Sequence, residues 1–430
     1  MMALALRDLS TTFGTSNFVI KLLASSFNYL VSGIAVTALG ALIPSLELFY
    51  NIADGTVAAI FPCTVGGYLL STACNHIIHV RGGRRLLASI SSLFRVCALS
   101  ALAFGPPFPL CLVAFCALGF GTGLTDSGWS AWASALNFPN VVQGPLHGSF
   151  GVGCIIGPVL AVALVTHGHD WTSMYLVLAV LATIELFAQV WAFWDDNADA
   201  YKHCDASREE SRSLLTETEI TGGDIQEASR SMHTPSILNP FMYHGTYMCA
   251  LFFFIYVSIE FTYSDWIVVF MRRARSLPYN TAGLASSIFW LGMSIGRITL
   301  GPAAEHFGVK RSVAVYLTCS ALLQLLFRTF RQPTMSMILL GTNGFWIGPT
   351  FPSGLVLLSQ AVPSSVQVSA VSVACAAGQI GGASIPFLVG IMSDKIGIGR
   401  LLDVVLGMTA ALIVVWLLFC RISPSVDPLA

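Results

Sequence analysis

The sequence predicts an all-α membrane protein of twelve transmembrane helices arranged as two six-helix halves. Of its 430 residues, 55% are hydrophobic and only 10% are charged, whereas a soluble domain carries about 25% charged residues. A bilayer core is crossed by about 20 apolar residues, and runs of roughly that length recur along the chain. A polar segment in the middle separates these runs into two equal groups.

The apolar runs define the predicted spans in chain order. In the first half they lie near 22–46, 55–78, 84–104, 108–134, 142–166 and 172–194. In the second half they lie near 240–270, 281–304, 311–328, 334–360, 366–392 and 401–420. Small residues at close spacing let membrane helices approach one another. We therefore expect close helix contacts at GFGTG (119–123) and GQIGG (378–382).

The polar middle segment sets the predicted domain boundaries. Ten acidic and four basic residues lie between Asp195 and Arg230, a composition that favours disorder over a packed core. We predict an amino-terminal bundle over 1–194, an acidic cytoplasmic loop over 195–238 and a carboxyl-terminal bundle over 239–430.

Basic residues predict the orientation in the membrane, because cytoplasmic loops are enriched in lysine and arginine. With the amino terminus inside, thirteen basic residues fall on the cytoplasmic side and seven on the opposite side. The seven are Arg272, Arg273, Arg275, Arg328, Arg331, Lys395 and Arg400. Both termini are therefore predicted to be cytoplasmic, and the first apolar run is interpreted as a retained helix without a removable signal.

A glycine-punctuated charged loop follows the eighth predicted span, at Gly301, Glu305, Gly308, Lys310 and Arg311. This pattern resembles the loop signature of the major facilitator superfamily, which also occurs after the second span. The resemblance implies a gate near this loop, in which we expect Arg297 and Glu305 to pair with each other or with helix ends.

The first half contains a weaker copy of the gating loop. Arg84 and Arg85 stand where Lys310 and Arg311 stand in the second half, but His79 replaces the carboxylate of Glu305. The alternative is that membrane topology alone accounts for these basic residues.

Further stretches narrow the resemblance to a fungal branch of the superfamily, similar to fucose-type sugar symporters and the bypass-of-stop-codon transporter group. They include LHGSFGVGCIIGP (146–158) and GTNGFWIGPTFPSG (341–354). The resemblance implies a secondary transporter that moves a small organic molecule by alternating access, with no cofactor.

Ionisable residues inside the spans are candidate functional groups because they are costly in a bilayer. Asp126 shares a helix face with Thr122, Trp129 and Ser130. The resemblance implies that Asp126 takes part in proton coupling, while the alternative is a purely structural carboxylate.

Three other acidic residues lie within predicted spans. Glu260 is a second candidate for the cavity, and Asp265 is interpreted as an interface residue. Glu185 is expected to face a neighbouring helix, with Arg95 as its candidate partner.

Departures from the branch pattern bear on the substrate. Ala35 and Val36 stand where the branch has an Asn-Asp pair, and Ser130 replaces its asparagine. A drier cavity is therefore expected. The Gly153–Pro158 stretch also resembles a motif of drug and metabolite antiporters. We therefore predict proton-coupled export of a metabolite, with proton-linked sugar uptake and a transport-inactive sensor as alternatives.

Other classes of function find little support in the sequence. The G-x-S-x-G motif at GMSIG (292–296) lies inside a span, so it lacks the strand-to-helix turn of a hydrolase. The histidine pairs have no third metal ligand nearby, and a net charge of -1 gives no sign of a nucleic-acid partner. We predict a multi-pass monomer without metal or cofactor, in the plasma membrane rather than the vacuolar membrane.

Overall fold

The amino-terminal half folds into long α-helices that correspond to the six predicted spans. The computed structural model describes residues 15–134, 139–198, 243–362 and 366–422. The helices of this half are α1 (Thr15–Tyr50), α2 (Asp54–Val57), α3 (Ile60–Ala103), α4 (Phe108–Ser134), α5 (Pro139–Thr166) and α6 (Thr172–Ala192). The second and third spans both lie in α3, on either side of a break at Gly83, where φ is 66°.

The carboxyl-terminal half is helical in the same way. Its helices are α7 (His244–Arg273), α8 (Tyr279–Phe307), α9 (Val309–Thr329), α10 (Pro333–Ile347), α11 (Thr350–Ala361), α12 (Gln367–Ile396) and α13 (Leu401–Ile422). A 3₁₀ turn, Ile398–Arg400, precedes α13. Helices suit a bilayer because each satisfies its backbone hydrogen bonds internally.

The tenth span departs from a continuous helix. Within the described residues, eleven helices are long and apolar enough to cross a membrane. The predicted span 334–360 instead divides into α10 and α11, with Gly348 and Pro349 between them. Proline has no backbone N–H and clashes with the preceding turn, so the helix is interrupted there while the twelve-span plan is kept.

Glycines allow the backbones of neighbouring helices to meet, as the sequence predicts. A Cβ atom added to Gly119 in α4 would overlap the carbonyl oxygen of Thr64 in α3, and one added to Gly67 would overlap that of Cys116. In the second half, a Cβ at Gly381 in α12 would overlap the carbonyl oxygen of Phe254 in α7.

Both ends of the described chain lie on one side of the bundle, because the number of crossings is even. We call this the terminus side and the opposite side the distal side. Of the predicted acidic loop, 195–238, only positions 195–198 lie within the described residues.

The two halves meet on the distal side and near mid-bundle. Tyr279 of α8 donates a hydrogen bond to the carbonyl of Ala41 in α1, and Ser287 donates to that of Ile155 in α5 at 2.7 Å. Toward the terminus side, α5 has open space around Gly144 and Gly148. Among the described residues, these contacts join the halves distally and near mid-bundle, whereas the face of α5 that carries Gly144 and Gly148 has no neighbour toward the terminus side.

Candidate functional site

Asp126 of α4 lies mid-bundle and is partly exposed. Tyr68 of α3 and Arg95 both lie near enough to act on its carboxylate. Within the described part of the chain, Asp126 makes no salt bridge. The carboxylate therefore has a hydroxyl group and a cation nearby and keeps partial exposure.

A fully buried ion pair lies beside Asp126 in the same half. Arg95 of α3 and Glu185 of α6 are 3.1 Å apart, and both side chains have 0% exposure. Arg95 also donates to Ser32 at 2.6 Å and to Thr122 at 3.3 Å, while the Asn28 amide donates to Glu185. The partnership of Arg95 and Glu185 expected from the sequence is confirmed by this geometry.

The second half holds its own arginine–carboxylate pair. Arg297 of α8 donates to Glu260 of α7 at 3.1 Å and to the carbonyl of Gly348 at 3.2 Å. Gly348 caps α10 at the break in the tenth span, so the interrupted helix supplies this acceptor. Arg297 therefore pairs with a helix end, as expected from the sequence, and its carboxylate partner among the described side chains is Glu260.

Two side chains that the sequence analysis missed connect these centres. The Tyr29 hydroxyl of α1 lies 3.0 Å from the Ser130 hydroxyl of α4. The His147 ring of α5 meets the Tyr29 ring edge-on, with centroids 5.5 Å apart, on the side of the first half that faces Arg297. A tyrosine and a histidine at helix-core spacing give no signal in sequence that distinguishes them from packing residues.

These polar groups follow one another from the first half toward the second, with contacts from Ser130 to His147 and from Arg297 to Glu260. We name this series the cross-bundle polar chain, and it comprises Asp126, Ser130, Tyr29, His147, Arg297 and Glu260. His147 is exposed among the described residues, so the cross-bundle polar chain is accessible at this point.

Charged residues also join the halves on the distal side. One guanidinium nitrogen of Arg273, at the end of α7, contacts both carboxylate oxygens of Asp54 at 2.7 and 2.9 Å, and Arg273 also pairs with Glu47. The Gly55 amide donates to Asp394 of α12 at 2.8 Å. We call Arg273, Asp54, Glu47 and Asp394 the distal lock, because they hold the two halves together at this end.

The terminus-side loop of the first half finds its carboxylate elsewhere. Asp196, just after α6, pairs with Lys21 at 2.6 Å and with Arg84 at 3.5 Å. The Arg85 guanidinium lies 3.4 Å from the Trp194 ring centroid. Asp196 thus supplies a negative charge to the loop of the first half, where His79 stands in place of the carboxylate.

The loop of the second half turns at Gly308, where φ is 90°. This left-handed conformation favours glycine, which agrees with the predicted tight turn. Arg311 is exposed, Gly301 has open space around it, and the side chain of Glu305 lies outside the described part of the structure. The gating role of Gly301, Glu305, Gly308, Lys310 and Arg311 stays a prediction.

A family comparison agrees with this arrangement of two helical halves around a polar centre. The family model of the Major Facilitator Superfamily matches residues 25–274 and 248–429. The chain belongs to the major facilitator superfamily. It is therefore a multi-pass membrane transporter of small molecules and not an enzyme.

Two curated relatives of this facilitator cover most of its length. Bypass of stop codon protein 6 of Saccharomyces cerevisiae is 27% identical over 396 residues, which span 88% of this chain and 78% of the yeast protein. The glucose/mannose transporter GlcP of Bacillus subtilis is 21% identical over 360 residues, which span 83% of this chain and 84% of that protein.

Solved structures show the same facilitator fold at low sequence identity. A D-xylose-proton symporter has a TM-score of 0.69 at 14% identity, covering 95% of this chain and 98% of the symporter. A bacterial homologue of the human lysosomal transporter Spinster, in an inward-facing and unoccupied conformation, has a TM-score of 0.71 at 10% identity. That match covers 95% of this facilitator and 98% of the homologue.

Trp129 lies apart from the polar face of α4 in this facilitator. Its indole is fully buried and stacks on the Phe193 ring with centroids 4.2 Å apart. Thr122 contacts Arg95, and Ser130 contacts Tyr29. The predicted stripe therefore divides: Thr122, Asp126 and Ser130 contact polar groups, whereas Trp129 packs against the segment that follows α6 and is out of reach of the open space.

Proposed function

We propose that this facilitator is a proton-coupled carrier of a small, neutral, polar solute of the sugar-like class, and that Asp126 exchanges the proton. The carrier alternates between a state open to the terminus side and one open to the distal side. The observation that carries the proposal is the position of Asp126, a partly exposed carboxylate at the start of the cross-bundle polar chain.

The proton assignment follows from how the mid-bundle carboxylates are paired. Glu185 and Glu260 each face an arginine at 3.1 Å, so each of these carboxylates is already engaged in an ion pair. Asp126 has no salt bridge among the described residues, and the neutral Tyr68 lies near its carboxylate. Asp126 is therefore the group best placed to gain and lose a proton as access alternates.

The substrate class follows from the charges and donors around the same space. Arg95 and Arg297 are each compensated by a carboxylate, so neither offers an unbalanced cation for an anionic solute. Tyr68, which is partly exposed, and His147, which is exposed, supply a hydroxyl and an imidazole group, which suit the hydroxyls of a neutral solute. These residues make the centre more polar than the sequence predicted.

Sugar-related names among the relatives support this class. The Bacillus subtilis relative is named a glucose/mannose transporter, and one structural neighbour is titled a D-xylose-proton symporter. Both are distant from this chain, so the particular solute is a question for experiment.

Export of a metabolite, favoured from the sequence, remains the second candidate. The Gly153–Pro158 stretch, which favoured export, has an explanation in helix packing. A Cβ at Gly153 would overlap the backbone of α1 at Leu30, and one at Gly157 would overlap it at Ile34. The cross-bundle polar chain serves either direction. We place the carrier in the plasma membrane as a monomer, with its terminus side in the cytoplasm.

Transport by proteoliposomes with and without an imposed pH difference tests the proposal. Asp126→Asn should abolish solute accumulation driven by the pH difference, because the amide cannot exchange a proton. Exchange of labelled solute without a pH difference should survive, since the amide imitates the protonated acid. Asp170→Asn, at an exposed position on the distal side, is the matched control and should transport normally.

The solutes tested should include neutral sugars, organic anions and organic cations, each offered for entry and for release. A full response of the Asp126→Asn carrier to the pH difference would contradict the proton assignment. Selective transport of anions would contradict the substrate class. A folded protein that moves none of the solutes would favour the sensor alternative.

A further inference from the structure

Arginines are concentrated on the distal side of the second half, against the bias that orients the chain. One cavity of about 430 Å³ on that side is lined by four of the seven basic residues assigned to it. We call it the distal arginine pocket. It is lined by Phe270, Ala274, Arg275, Arg328, Arg331, Ile396, Gly399, Arg400, Leu402 and Asp403. It lies where the ends of α7 and α9 meet the start of α13.

The charges in this pocket are unbalanced. Its four arginines face a single carboxylate, Asp403, which contacts Arg328 at 2.9 Å and Arg400 at 3.1 Å. Neither Arg275 nor Arg331 has a salt-bridge partner among the described residues. Four positive charges against one negative leave an excess of three, and like charges repel unless a counter-charge lies between them.

Arg275 is fixed in place and incompletely bonded. It donates to the Phe327 carbonyl at 2.5 Å, and its guanidinium lies over the rings of Phe270 and Phe327 at 5.5 and 5.6 Å. Its Nε is buried with no hydrogen-bond partner among the described residues. Desolvation, together with the positive charge of Arg331, lowers the pKa of Arg275.

We propose that the distal arginine pocket is a binding site for a phosphate-type oxyanion, held between Arg275 and Arg331. Guanidinium groups match such oxygens because they offer planar, paired donors that remain charged. A cavity of this size accepts a phosphate group. The same chemistry is offered by a free inorganic anion and by the headgroup of an anionic phospholipid.

The pocket is separate from the proposed transport site. Its residues belong only to the second half, and none is part of the cross-bundle polar chain. Binding at the pocket therefore does not depend on the proposed transport function, and it can be measured on purified protein without a solute.

Two measurements on the full chain in neutral detergent distinguish the sources of the anion. Calorimetric titration with inorganic phosphate, against sodium chloride at equal ionic strength, reports a free anion. Native mass spectrometry after incubation with phosphatidylglycerol or phosphatidylcholine reports a lipid headgroup. We expect saturable binding of phosphate, selective retention of phosphatidylglycerol, or both.

The variants are Arg275→Gln and Arg331→Gln, with Arg272→Gln as the matched control. Arg272 lies on the same side but over the Tyr279 ring, and it does not line the pocket. Each pocket variant should weaken binding about tenfold or more, because a hydrogen bond to a charged group is lost. The control should bind like the wild type.

Arg331 is exposed, so its variant keeps the test valid if Arg275→Gln fails to fold. Binding of neither probe by the wild-type protein would overturn the proposal. So would equal binding by the two pocket variants and the control.

Discussion

Arg95 and Glu185 place opposite charges where neither is reached by solvent. Removing two charges from water is costly, and their mutual attraction offsets that cost only while both are present. Asp265 offers a contrast, because it is 2% exposed and one of its carboxylate oxygens is buried without a partner among the described residues. Glu185 and Asp265 are both buried, and they differ mainly in that an arginine faces Glu185 and none faces Asp265 among the described residues.

This difference predicts opposite responses to neutralisation. Glu185→Gln should destabilise the protein by about 3–5 kcal/mol, because Arg95 is left as an uncompensated buried charge. Asp265→Asn should change stability little, since no cation is deprived of its partner. Thermal unfolding of the purified proteins in detergent measures both, and equal losses in the two variants would contradict the argument.

Replacing both members of the pair checks the cause. Arg95→Met combined with Glu185→Met should recover most of the stability lost by Glu185→Gln, because no lone charge remains. A double variant as unstable as the single one would mean that packing, and not charge, determines the loss.

Helices α3 and α4 contact each other through glycines that leave no room for a side chain. Gly119→Ala should therefore destabilise the protein by about 1–3 kcal/mol, as overpacking of a close contact does. Gly148→Ala is the matched control, because Gly148 is also helical but has nothing within 4 Å of an added Cβ. Alanine favours a helix over glycine, so the control should be neutral or slightly more stable.

Unfolding temperatures in the same detergent give the comparison. Similar values for Gly119→Ala and wild type would mean that the two helices separate at low cost.

At this scale the sequence predicts the helices better than their interruptions and partners. Apolar run length fixes the number of crossings, and most observed helix ends lie within a few residues of the predicted spans. The break at Gly348 and Pro349 is hidden inside a continuous apolar run. Run length also says nothing about which helix a polar side chain faces, so the pairing of Arg297 with Glu260 and the position of His147 emerge only from the packing.

The distal lock is a property of the whole molecule, since it joins helices from both halves. Arg273 is 44% exposed at its side chain, so its ion pairs lie close to solvent. Such a pair contributes up to about 1 kcal/mol, which corresponds to about a fivefold change in a two-state ratio. A contribution of this size biases the carrier toward the distal-closed state and still lets the lock open during a transport cycle.

Arg273→Gln should increase the distal-open population about fivefold, because Asp54 and Glu47 lose their shared cation. Spin labels at Phe104 and Gln332, both exposed on the distal side and in different halves, would report longer distances. The native cysteines are replaced first in this experiment. Asp196→Asn is the control, because its ion pairs join groups of one half, and it should leave the distances unchanged.

Higher ionic strength should act in the same direction as Arg273→Gln, since salt screens exposed charges. An unchanged distance distribution in both the variant and high salt would show that apolar contacts alone hold the distal side closed.

The distal closure also makes the two faces of the carrier kinetically unequal. Solute on the terminus side meets an accessible centre, whereas solute on the distal side binds only the fraction of molecules whose distal side has opened. The apparent half-saturation concentration from the distal side rises as the inverse of that fraction, so an open fraction of about 1% raises it about 100-fold. Entry into right-side-out and inside-out vesicles should therefore saturate at different solute concentrations, and Arg273→Gln should reduce the difference between the two values about fivefold.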